Sequence, residues 1–151
     1  MYVMTGLNTT NSVLKMDCSQ DKVNTLDKVK RFALRLKLKK KVGDAVQNCA
    51  VFLREELKRQ GEIVQGYAIV EDGPGEKIQY YWVEGTDGKV YDVCFEFARL
   101  NNPVVENIKY VLSKEIWAAA EFDKDDHAQE MFKLYQHEPS KFWKIVPRLN
   151  S

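Results

Sequence analysis

Three side chains in this sequence bear on possible nucleophilic chemistry: Cys49, Tyr80 and Asp92. A cysteine attacks as its thiolate, so its use depends on whatever lowers the thiol pKa. The stretch from Asp44 to Gly61 repeats Val46, Cys49, Ala50, Leu53 and Leu57 at helical spacing, with Asp44 as N-cap and Gly61 as C-cap. Cys49 then lies in the first turns of a helix, where free backbone N–H groups and the helix dipole favour a thiolate. The same spacing also suits a cysteine that is only a small buried hydrophobe. Asp92 stands among Val90, Tyr91 and Val93, and apolar surroundings penalise a carboxylate that has no partner. The Tyr80 hydroxyl is one candidate donor to it, and the backbone of its own turn is another.

The elements that must position these residues follow from local pattern. Ile63–Val70 and Ile78–Glu84 are rich in Ile, Val, Tyr and Trp and read as strands, separated by the turn-forming Glu71-Asp-Gly-Pro-Gly-Glu-Lys77. Gly85-Thr-Asp-Gly88 is a hairpin connection into Lys89–Val93, because Asp-Gly tolerates the positive φ of a tight turn. Alternation puts Tyr80, Trp82 and Glu84 on one strand face and Tyr81 and Val83 on the other. The expected arrangement is one antiparallel sheet with the cysteine helix against the face of Tyr80 and Trp82.

The order Asn48-Cys49 on a helix, Gly66-Tyr67-Ala68 on a strand, Trp82-Val83 on the next, then Asp87-Gly88-Lys89-Val90-Tyr91-Asp92-Val93 resembles the small transglutaminase-like, papain-like cysteine hydrolase domains. The resemblance covers roughly a third of the chain by matched positions. It implies that Cys49 matches the nucleophile, Asp92 the orienting acid and Trp82 the strand tryptophan, with Asn48 and Trp82 beside the substrate. Tyr80 stands where such families have the histidine that takes and returns the proton. A phenol of ordinary pKa about 10 is a poor base near neutral pH, and Cys94 replaces the usual threonine. The fold implied is α+β: N-terminal helices on a small antiparallel sheet, followed by C-terminal helices.

Around this core, residues 1–24 read as an irregular N-terminal arm and 25–151 as a single transglutaminase-like domain. Leu26, Val29, Phe32, Ala33 and Leu36 mark an amphipathic helix from Thr25 to about Lys41, with Thr25 as N-cap and Leu26, Val29, Phe32 and Leu36 buried. Its Lys28, Lys30, Arg31, Arg35, Lys37 and Lys39–Lys41 read either as a solvated face or as a surface for nucleic acid or an acidic partner. Val104–Ile116 reads as a further strand, and helices follow from Asp125 or Asp126 to about Gln136 and from Glu138, with Pro139 in its first turn. His127 and His137 lack other ligands at metal spacing and suit a surface or capping role. No metal or other cofactor is expected.

With 151 residues, 44% apolar and 30% charged, the composition is that of one packed domain. No run reaches the about 18 apolar residues of a membrane span, and the first residues lack a signal pattern. Three widely spaced cysteines, Cys18, Cys49 and Cys94, suit reduced thiols better than a disulfide framework, so a cytoplasmic location is expected. No phosphate loop, dinucleotide glycine pattern or serine elbow is present.

Three functions fit. One is a degenerate cysteine-hydrolase-like domain that binds a protein or peptide ligand in the former cleft. Another is an active cysteine hydrolase or acyltransferase with a non-standard base. The third is an interaction module acting through the basic helix.

Overall fold

A computed structural model describes residues 13–15, 20–38, 44–71, 77–102, 104–105, 109–114 and 127–148. The fold is α+β. Strands β1 (Val13–Lys15), β2 (Gly61–Val70), β3 (Lys77–Gly85), β4 (Val90–Tyr91) and β5 (Tyr110–Ser113) form one sheet in the order β1-β5-β2-β3-β4. Every pairing is antiparallel. Helices α1 (Gln20–Leu38), α2 (Ala45–Leu57), α3 (Val93–Asn101), α4 (His127–His137) and α5 (Pro139–Ile145) complete the described elements. None of the described helices is long and apolar enough to cross a membrane.

All five helices contribute to one core over a single face of the sheet. Val29, Phe32 and Leu36 of α1, Val46 to Leu53 of α2, Val93 of α3, Met131 and Phe132 of α4 and Phe142 of α5 meet Ile63, Tyr81, Val83 and Tyr91 of the strands. The cysteine helix therefore packs against Tyr81 and Val83, not against Tyr80 and Trp82. Alternation could not decide this, because Tyr80-Tyr81-Trp82-Val83 is apolar on both faces. Pairing does decide it: Ile63 lies opposite Val83 and Val64 opposite Trp82, so Trp82 joins Val64, Ala68, Val90 and Leu112 in a smaller cluster on the other face. Gly66 makes room for that indole. A Cβ there would lie 2.7 Å from the Trp82 ring and 2.0 Å from the Ser113 carbonyl oxygen, too close for any side chain.

Several boundaries differ from expectation. The helix expected from Thr25 begins at Gln20, and Thr25 lies buried in its second turn. The buried stripe is Thr25, Val29, Phe32 and Leu36, which turns Leu26 outward at 37% exposure. Replacing Leu26 by Ala should accordingly cost less than about 1 kcal/mol in a urea melt, the range of ordinary surface changes. A loss typical of a core leucine, roughly 2–5 kcal/mol, would show the helix phase to be wrong. Within the expected arm, Val13–Lys15 pairs along β5, covering an edge that would otherwise present unpaired backbone groups. Lys39–Lys41, and Asp125 and Asp126 as helix caps, lie outside the described residues, as does Cys18.

Helix α2 starts as expected, with Asp44 accepting from the Gln47 N–H at 2.8 Å. It ends at Lys58 and Arg59, both with positive φ (54° and 64°), and Gly61 opens β2 instead of capping the helix. The hairpin between β3 and β4 is as read: Gly88 has φ +82°, and Asp87 accepts from the Lys89 N–H at 3.0 Å. The strand after it is only two residues long. At Asp92 the chain leaves the sheet into α3, which runs beside the part of β3 that β4 leaves unpaired.

Candidate functional site

Asp92 is the hub of the site, and the end of β4 puts it there. As N-cap of α3 its Oδ1 accepts from the Phe95 N–H at 3.0 Å. Its Oδ2 accepts from the Tyr80 hydroxyl on β3 at 3.3 Å and from the Tyr110 hydroxyl on β5. The two roles weighed for Asp92, partner of Tyr80 and cap of its own backbone, are filled by different oxygens of one carboxylate. Burial is the largest influence on it and pushes its pKa up to about 6, although the hydrogen bonds from Tyr110, Phe95 and Tyr80 each pull the other way. Both tyrosines are raised in turn, first by burial and then by the charge of Asp92.

Cys49 sits in α2 as expected, but fully buried. Its thiol hydrogen-bonds with Cys94, the second residue of α3, and that contact raises its pKa most. Burial follows, and then the charges of Cys94, Asp92 and Asp44. The favourable helix terminus is outweighed. A nucleophile requires an acceptor for its proton and solvent access for its substrate; Cys49 has another thiol as partner and is sealed in the core. Cys94 is the link in the constellation, touching Cys49 and acting electrostatically on Tyr80 and Tyr110.

The other two candidate residues are core residues. Asn48 is buried in α2. Trp82 is wholly buried on the far side of the sheet from Cys49, its indole N–H directed at Glu84 Oε2 at 3.5 Å.

Beside the constellation lies a cavity of about 510 Å³. It opens where β2 ends and β3 and β5 begin, between α3 and the first turns of α2 and α4. Its wall is mainly apolar: the rings of Tyr80, Phe95 and Tyr110, the aliphatic Val70 and Ile78, and Cys94. Asp44 lines the helical side, and His127 of α4 brings its Nδ1 to 2.5 Å from Asp44 Oδ2, a buried oxygen that accepts no hydrogen bond among the described residues. This gives His127 a connecting role between two helix starts. His137, at the end of α4, is exposed.

Sequence reasoning did not single out Tyr110 or the Cys49–Cys94 contact. Tyr110 had one signal, its alternation with Ile108 and Leu112, but which strand β5 would join was not readable. Among the described residues no group of three His, Cys, Asp or Glu side chains is placed to hold a metal ion. Compared with models of protein families, with curated proteins and with solved structures, the chain finds no match in any of the three.

Proposed function

We propose that this chain is a non-catalytic binding domain of transglutaminase-like design, in which the position of the nucleophile has been absorbed into the core and the adjoining cavity takes an apolar ligand. The observation that carries this reading is the complete burial of Cys49 against Cys94, beside a cavity of about 510 Å³ that none of the catalytic chemistry occupies. Three further facts support it. Tyr80 donates its hydroxyl proton to Asp92, and burial raises its pKa above the ordinary phenol value, so it does not replace an imidazole base near neutral pH. Asp92 caps a helix. The cavity walls are apolar with a few polar groups at one side, the usual make-up of a small-molecule site.

The test is saturable binding of prodan, a neutral naphthalene fluorophore whose emission shifts in apolar surroundings. Wild type should bind it with one site. Ala98, exposed on α3 at the cavity wall, can be replaced by Trp to fill the opening without touching the core. Ala98→Trp should weaken binding by about tenfold or more while melting like wild type, since about 1.4 kcal/mol of lost contact suffices. Prodan that ignores wild type, or binds Ala98→Trp equally well, would remove the reading.

A further inference from the structure

We propose that the cavity is an aromatic cage for an organic ammonium ion with an apolar body. This deepens the binding reading above and rests on it.

Three aromatic rings from three different elements face the same space. Tyr80 of β3 and Tyr110 of β5 stand with ring centroids 6.0 Å apart at 44°. Phe95 of α3 stands 5.3 Å from Tyr110 at 31°. All three line the cavity, whereas Asp92 does not. Because both tyrosine hydroxyls turn back to donate to Asp92, the cavity meets ring faces and edges rather than phenolic protons. A phenol that donates to a carboxylate is more electron-rich, which deepens the negative potential over its ring, and that potential attracts a cation.

The charges around the space have the matching sign. Asp92 lies directly behind the two tyrosines, and Asp44 is itself part of the wall. No lysine or arginine lines the cavity among the described residues. An anionic ligand would meet carboxylates without a compensating base. A neutral apolar ligand would fit the walls but gain nothing from the two carboxylates. A positive charge shielded by methyl groups is inexpensive to desolvate and uses both the rings and the carboxylates. The volume leaves room for an apolar body beyond the ammonium group, along Val70 and Ile78.

The experiment is displacement of prodan from the full chain at pH 8, above the Asp92 value of about 6. The competitors are phenyltrimethylammonium and its uncharged isostere tert-butylbenzene. The ammonium should displace prodan at about tenfold lower concentration, the scale of a desolvated cation–π contact. Phe95→Leu keeps the cap N–H and an apolar wall but removes one ring, and it should bring the two competitors to within about threefold. Where Phe95→Leu does not fold, Asp44→Asn keeps a capping side chain and removes one wall charge, and it should narrow the preference likewise.

Equal or better displacement by tert-butylbenzene in wild type would overturn the cage and leave a plain apolar site. So would an unchanged preference in the folded variants. Failure of the binding reading has a different signature: prodan would not bind wild type, or would bind Ala98→Trp just as well.

Discussion

In the folded protein, Cys49 should react with iodoacetamide at pH 7 on the order of a hundredfold more slowly than in the urea-unfolded chain, because two independent barriers stand in the way. The first is access. The side chain is wholly buried between α2, α3 and the sheet, so reagent reaches it only when that packing opens, and core segments open rarely. The second is ionisation. Its hydrogen bond with Cys94 and its burial hold the thiol well above the ordinary range, which leaves little thiolate near neutral pH. Cys94 has a different outlook: it is half-buried and lines the cavity, so it should label before Cys49. Peptide mapping of a time course separates the sites, with labelling in urea as the reference. Fast labelling of Cys49, or labelling that persists below pH 7, would revive the active-hydrolase reading and remove the present one. The same data bear on the dipole argument. A helix N-terminus does favour a thiolate, but only by an amount that full burial readily exceeds.

How far the sequence carried this site depends on the range of the interaction involved. Asp44 as N-cap, the turn at Asp87-Gly88 and the Tyr80–Asp92 hydrogen bond were readable, because each follows from chemistry local to a turn or from two strands joined by one hairpin. The face of β3 was not readable, because Tyr80, Tyr81, Trp82 and Val83 offer apolar surface on both sides, and only the pairing with β2 separates them. Helix α3 escaped notice for a related reason. Asp92 was read as the end of a strand, and one residue cannot announce that it also begins a helix. The Asp92-to-Glu96 interval followed by Arg99 was the available hint, since Glu96 Oε2 accepts from Arg99 at 2.8 Å and 3.1 Å within that helix. Tyr110 reaches Asp92 only because β5 inserts between β1 and β2, a non-local choice invisible in a short window. The resemblance to cysteine hydrolases rests on the readable part, and Cys94 and Tyr110, which give the site its present character, come from the rest.

The second large effect expected concerns pH. Between about pH 4 and pH 7 the wild-type protein should lose stability relative to an Asp92→Asn variant, by roughly 2 kcal/mol in total. The folded Asp92 carboxyl has a pKa pushed up to about 6, against about 3.9 in an unfolded chain. Across that interval the folded state holds more protons than the unfolded state, so the contribution of this group to stability is fully present below about pH 4 and is lost as pH rises through about 6. The charge that must then form is buried among Tyr80 of β3, Tyr110 of β5, the Phe95 N–H, Glu96 and Cys94 of α3, and Cys49 of α2. Three hydrogen bonds reduce its cost without cancelling it. Asparagine keeps an acceptor for the α3 cap and carries no charge, so its melts should lack this slope, while the titrations common to both proteins cancel in the difference. Urea melts of the two proteins at half-unit steps from pH 4 to pH 7 measure the quantity directly. Parallel stability curves, or a wild type that gains on the variant as pH rises, would mean that the tyrosines and the cap stabilise the carboxylate more than burial destabilises it. Asp92 would then be an ionised orienting acid of the kind an active site keeps.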